Sequence, residues 1–269
     1  MPNINNSQDV QKQYATAQNL NTRASLHALF STNKQGWGSW VFQQYCLRPG
    51  MSVLELGCGS AGLWAGRAGE LRGVKLLLSD FSEGMLQTAR ENIGERPGLS
   101  YERIDAQDIP HPDASFDMVV ANHMLYHVPD IDKALGEIAR VLKPGGTLYA
   151  TTLGEGNMPE LIGLLRRFDP AIDFAQDAIT DAFGLESGEA RLRRHFDHVE
   201  VRRYEDSLHV TRAQPLVDYV LSSQGIGNVN DVVTGEKAAL FARYIEDIIE
   251  REGAIDITKD AGMLLAQKA

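Results

Sequence analysis

The ten residues from Val53 to Gly62, VLELGCGSAG, restrict the fold more than any other stretch of this 269-residue chain. Val53 to Leu56 reads as a buried strand, and it runs straight into three glycines spaced G-x-G-x-x-G at Gly57, Gly59 and Gly62. The apolar, alanine-rich segment from Leu63 to Leu71 is expected to be a helix. Glycine in such a turn opens backbone angles closed to other residues and leaves no Cβ between main chain and ligand. A helix starting there would aim its free N–H groups at the same spot. The turn therefore suits a nucleotide-like molecule, and its spacing alone also fits an NAD fingerprint.

Downstream of the turn, strand-like and helix-like segments alternate. Val74 to Leu78 is a second apolar strand ending at Ser79-Asp80, and Ser82 to Ile93 reads as a helix with Ser or Asp at its N-cap. Ser100 to Ile104 is a third strand ending at Asp105, and Phe116 to Ala121 a fourth ending at Asn122. Ile131, Leu135, Ile138, Ala139 and Leu142 recur at helical spacing before Lys143-Pro-Gly-Gly146 turns into a fifth strand, Thr147 to Leu153. The pattern predicts an α/β fold, a Rossmann-like doubly wound sheet, mostly parallel with an antiparallel edge strand, plus a helical lid and insert. Ligands of such sheets bind at the carboxyl ends of the strands. Residues 1–50 are expected to form an N-terminal helical lid and residues 51–155 the ligand-binding core. Residues 156–269 would complete the sheet through His198 to Tyr204 and Gly262 to Ala266, with helical cap inserts at about 156–195 and 212–253.

A formal net charge of -10 argues against a protein that neutralises phosphates along nucleic acid, since the basic clusters are short. Cys46 and Cys58 are the only cysteines, too few for a disulfide framework, which favours a reducing, cytoplasmic setting. The polar N-terminus has the features of neither a signal peptide nor a membrane span. No nucleic-acid or membrane partner is expected, and a homodimer is left open.

The string VLELGCGSAG, the acids Asp80 and Asp105 at the ends of two successive strands, and the K-P-G-G turn form an ordered set. Over residues 53 to about 153 that set resembles the class I S-adenosylmethionine-dependent methyltransferases. The resemblance implies S-adenosyl-L-methionine as cofactor and a small molecule as methyl acceptor. It implies that Gly57, Cys58 and Gly59 lie against the amino acid tail and ribose, that Glu55 accepts hydrogen bonds near the amino group, and that Asp80 accepts both ribose hydroxyls. Phe81 and Met85 would pack on the adenine, Asp105, Ala106 and Gln107 would read its edge, and Asn122 would face the methionine part.

Residues near the transferred methyl in this family follow the fourth strand, here Asn122-His-Met-Leu-Tyr-His127. His123 and His127 fit a base that takes the acceptor's proton, and equally fit structural roles in the pocket wall. Tyr126 lies between them. Tyr14, Arg23, His27 and Trp37, from the N-terminal segment, would line the acceptor side. No metal is expected, because H-x-x-x-H lacks a third ligand. Beside methyl transfer stand an NAD-dependent oxidoreductase, an S-adenosylmethionine-binding protein without turnover, and an enzyme such as a cyclase that keeps the cofactor but runs another reaction.

Overall fold

The computed structural model describes residues 18–67, 69–222 and 227–269. In chain order the elements are α1 (Gln18–Phe30), α2 (Trp37–Gln44), β1 (Ser52–Leu56), β2 (Lys75–Asp80), α3 (Glu83–Ile93), β3 (Leu99–Arg103), β4 (Phe116–Asn122), α4 (Ile131–Val141) and β5 (Leu142–Leu153). They continue with α5 (Pro159–Phe168), α6 (Gln176–Phe183), α7 (Leu185–Leu192), β6 (His198–Val210), α8 (Ala213–Leu221), α9 (Val229–Val232), α10 (Gly235–Glu252) and β7 (Ile255–Gln267). The seven strands form one sheet in the order β3-β2-β1-β4-β5-β7-β6. β1 to β5 pair parallel with one another, and β7 pairs antiparallel with both β5 and β6. The reversed strand thus lies one place in from the edge.

The expected alternation of strand and helix holds because each segment has one apolar side to bury. On α4, Ile131, Ala134, Leu135, Ile138 and Val141 are all buried, the spacing of a single helix face, and Asp130 caps its start by accepting the Lys133 N–H at 3.0 Å. That face joins Leu54, Leu56, Val119, Leu148 and Leu264 in the core on one side of the sheet. On the other side Val53, Leu76, Leu78, Val120 and Met263 pack with Trp64 and with Val41 of α2.

A further cluster stands apart from both. Leu26 and Phe30 of α1, Leu161 and Leu165 of α5, Leu216 and Val220 of α8, and Phe241 and Ile245 of α10 pack on Leu208, Val210, Ile255 and Ile257. Those last four residues belong to the stretch where β6 and β7 run on together beyond the end of β5, as a two-stranded ribbon.

The expected helix from Leu63 to Leu71 does not form. Residues 61–67 and 69–74 are turns, held by N–H groups donating three residues back, from Ala61 to Cys58, Trp64 to Ala61 and Arg67 to Trp64. The cause is in the sequence: Gly62, Gly66, Gly69 and Gly73 recur every three or four residues, and each costs a helix about 1 kcal/mol relative to alanine. Gly66 adopts φ +76°, which ends a right-handed helix there.

Candidate active site

β1 ends in a carboxylate that is shut away from water. Glu55 is 2% exposed, and the chain folds donors onto it from two sides. The turn segment returns Trp64 so that its indole N–H donates to Oε2, while Asn122, at the end of neighbouring β4, donates from Nδ2 to Oε1 at 2.9 Å. Asn122 also donates to the Tyr45 hydroxyl at 3.0 Å, and its Oδ1 accepts from Thr151 Oγ1 at 3.3 Å. Burial pushes the Glu55 carboxyl up to about 7, aided by the negative charge of Asp80 and opposed by the two donors. The same burial, with Glu55 beside it, holds the Tyr45 hydroxyl well above its usual range.

Gly57 and Gly59 form the turn that follows, at φ +65° and +55°. A Cβ on Gly57 would stand 2.8 Å from Met124 Cβ, so only glycine fits between the turn and the loop after β4. Asp80 fastens the turn from the next strand: Oδ2 accepts the Gly59 N–H at 2.9 Å and Oδ1 the Ser82 N–H at 2.8 Å. Its carboxyl is raised, first by burial. Among the described residues no cationic side chain forms an ion pair with either Glu55 or Asp80. Cys58 donates its N–H to Ser79 O at 2.8 Å, and burial beside the two carboxylates pushes its thiol well up, which leaves it unreactive.

The segment expected to read an adenine edge is gathered at the end of β3. Asp105 accepts from Gln107 N at 2.9 Å and Gln107 Nε2 at 3.0 Å, and Gln107 Oε1 accepts the Asp130 N–H at 3.1 Å. Ala106 is buried, as is Met85 on α3. Phe81 lies under the Arg103 guanidinium, 5.2 Å from its ring centre.

The acceptor side begins at His123, which has the left-handed φ of +49° that side chains rarely adopt. Its N–H donates to Thr151 O and Oγ1, both at 3.1 Å, and its ring lies 5.3 Å from that of Trp37 on α2. Tyr126 is buried, 4.6 Å ring to ring from His127, in the single turn Leu125–His127. His27, on α1, meets the Tyr219 ring edge-on at 5.7 Å. Arg23, also on α1, acts electrostatically on that same tyrosine. Tyr14 lies outside the described residues. Burial is the main cause that lowers the His123 imidazole to about 4 and His27 well below its usual range; the charge of Lys259 comes next for both. Lys259, Trp64, Tyr45 and Thr151 are the site residues that sequence reasoning did not single out. Among the described residues no group of His, Cys, Asp or Glu could hold a metal.

The topology also weighs against a dinucleotide. A pyrophosphate is held by the N-terminus of the helix after the glycine turn, and the described residues have turns there. Residues 54–150 match the family model described as methyltransferase domain. Over these residues the core of this chain is similar to that methyltransferase domain. The demethylmenaquinone methyltransferase of Desulfitobacterium hafniense is 33% identical over 134 residues, 46% of this chain and 51% of that protein. The chain spans about half the length of the curated relatives it matches. Phosphoethanolamine N-methyltransferase 2 of Haemonchus contortus, solved with S-adenosyl-L-methionine, superposes with a TM-score of 0.59 at 17% identity, over 97% of this chain and 59% of that one. The [4+2]-cyclase SpnF superposes with a TM-score of 0.57 at 20% identity, over 97% and 96%. The matched segment thus sits in a fold that these solved structures share over nearly the whole chain. Among the described residues no helix is long and apolar enough to cross a membrane.

Proposed function

We propose that this protein transfers a methyl group from S-adenosyl-L-methionine to a small-molecule acceptor. One observation carries the reading: a buried carboxylate, Glu55, and a half-buried one, Asp80, flank a glycine turn, and among the described residues neither forms an ion pair with a cationic side chain. A ligand bearing an ammonium group supplies that missing charge, whereas the two carboxylates would repel a pyrophosphate. When bound, the cofactor supplies a methyl group on a cationic sulfur. Glu55, oriented by Trp64 and Asn122, would receive the amino group, and the carboxylate of Asp80 keeps free lone pairs for the ribose hydroxyls. Phe81, Met85, Asp105, Ala106 and Gln107 would border the adenine.

Methyl transfer asks little covalent chemistry of the protein; holding the acceptor in line and excluding water supply much of the rate. Residues 1–50 would act as the lid, 51–155 as the cofactor core and 156–269 as the cap. His123, His127, His27, Trp37 and Tyr126 would border the acceptor. The named substrate of the curated relatives supports a small-molecule acceptor, and the acidic composition with two cysteines supports a cytoplasmic setting.

Calorimetry with S-adenosylmethionine, S-adenosylhomocysteine and NAD tests the reading. The first two should bind, and Asp80→Ala should weaken them by roughly 2–3 kcal/mol, the scale of hydrogen bonds to a charged group. Binding of NAD alone would overturn it. Release of S-adenosylhomocysteine during turnover separates methyl transfer from a cyclase-type reaction on the same fold.

A further inference from the structure

Strand β7 carries one lysine in a row that is otherwise apolar. Ile255, Ile257, Ala261, Met263 and Leu265 alternate on the same face as Lys259, and all five are buried. Directly across on β6, in register, stand Val210, Leu208, Asp206 and Tyr204, facing Ile255, Ile257, Lys259 and Ala261. β5 ends opposite Ala261, so Lys259 sits just past the sheet, on the ribbon, at the carboxyl end of β5. This is the end of the sheet where His123 follows β4.

Two other elements bring basic groups to the same place. α1 is tied to the ribbon where Ser31 pairs with Leu208 and the Thr32 N–H donates to Ser207 O at 2.9 Å, which sets His27 one turn back from the join. His123 stands at the end of β4 with Trp37 against its ring. The charge of Lys259 acts on both imidazoles, and that of His123 on His27. Three basic side chains from three elements thus lie within electrostatic reach of one another at this end of the sheet.

Acids lie close to Lys259 but are engaged elsewhere. Asp206 accepts from Ser31 Oγ at 2.7 Å and Asn33 N at 3.1 Å, and Asp260 pairs with Arg203 and accepts the Gly156 N–H at 3.1 Å. Lys259 itself makes no hydrogen bond or ion pair with the described residues. Burial lowers its amine to about 8, against the pull of Asp206 and Asp260. A half-buried ammonium without an ion pair is unfavourable in such a row, and an apolar residue would continue it. An anionic ligand reverses that balance.

We propose that Lys259 receives the methyl acceptor, and that the acceptor is a phenol or enol whose acidic oxygen is held between Lys259 and His123, with Trp37 along its ring face. The inference rests on the methyltransferase reading for its chemistry. The acceptor O–H gives its proton to the neutral amine of Lys259 or to water. The oxygen's electron pair then forms the bond to the methyl carbon as the carbon–sulfur bond breaks. The products are the methyl ether, S-adenosylhomocysteine and one proton, so the positive charge lost from sulfur leaves as that proton. Lys259 stabilises the oxygen anion before transfer and releases the neutral ether afterwards.

The test uses 4-nitrophenol, whose phenol and phenolate forms differ in colour, titrated into the full-length protein with and without S-adenosylhomocysteine. Bound to wild type, the probe should show a phenolate-to-phenol ratio about tenfold above its value in buffer at the same pH, a shift of about one pKa unit. Lys259→Arg, which keeps the charge, should retain the shift. Lys259→Met should abolish it, keep its affinity for S-adenosylhomocysteine, and melt no lower than wild type, because an unpaired amine is removed from an apolar row. Equal colour response in wild type and Lys259→Met, absence of bound phenolate in wild type, or its loss in Lys259→Arg overturns the proposal. A Lys259-dependent shift without any binding of S-adenosylhomocysteine leaves the phenolate site standing and removes the methyltransferase reading; binding of S-adenosylhomocysteine without that shift does the reverse.

Discussion

Replacing Glu55 by glutamine probes the cofactor side with neither cofactor nor acceptor present. In the folded chain the carboxyl is pushed from 4.5 to about 7, chiefly by burial. Between those values the folded state holds more protons than the unfolded one, so stability is lost as pH rises through the window. A rise from 4.5 to about 7, at about 1.4 kcal/mol per pH unit, corresponds to about 3 kcal/mol once both states are ionised. His27 and His123 oppose this in an overlapping range: their lowered pKa means the unfolded chain binds protons first as pH falls below 6.5, and stability falls with pH there. The wild-type curve mixes both effects, and the difference between wild type and Glu55→Gln isolates the carboxylate. Glutamine keeps an acceptor for Trp64 but turns an amide N–H toward Asn122, which must reverse its own amide at a cost of about 1 kcal/mol. The variant should therefore match wild type to within about 0.5 kcal/mol at pH 5, where wild type has already lost about 0.8 kcal/mol, and be about 2 kcal/mol more stable at pH 8. Urea denaturation followed by tryptophan fluorescence at pH 5, 6.5 and 8 reads this directly. A difference between the two proteins that stays constant to within about 0.5 kcal/mol over that range refutes the reasoning.

Gly57→Ala should cost about 2–3 kcal/mol, since it adds a left-handed backbone penalty of about 1–2 kcal/mol to a Cβ placed 2.8 Å from Met124 Cβ. Gly66→Ala, at φ +76° with open space around it, should cost only the backbone part; equal losses in thermal denaturation would show that Met124 does not press on the turn. Nitrogen-15 NMR of the imidazoles should find His123 neutral at pH 6 and titrating at about 4, and a midpoint near 6.5 would mean that its ring is open to water.

Much of the core was legible because its strands are buried on both faces and read as apolar runs: Val53 to Leu56 and Phe116 to Ala121 fall within a residue of the observed β1 and β4. The turn segment after Gly62 was misread because its alanines and leucines suggest a helix while four evenly spaced glycines forbid one. That error also hid Trp64, which a helix would not have returned to Glu55. β6 and β7 each run to 13 residues, well beyond the alternating stretches His198 to Tyr204 and Gly262 to Ala266. Polar residues at Ser207, Thr258 and Asp260 interrupt the apolar pattern, and a ribbon with one wet face accepts them. Once the strand is extended to Ile255, Lys259 stands out by its period of two, so the signal was present but attached to a strand read too short. Partners such as Tyr45 and Thr151 follow from register between distant segments, which no local pattern encodes.

The separate hydrophobic cluster under the ribbon has an evolutionary consequence. None of its residues falls between 54 and 150, the span matched by the family model. A substitution in α1, α5, α8 or α10 therefore draws on the stability of one nucleus and spares the other, much as two small domains would tolerate change independently. Change in that cluster can therefore reshape the ribbon and its helices while the carboxylates and glycines of the matched segment stay under their own constraints.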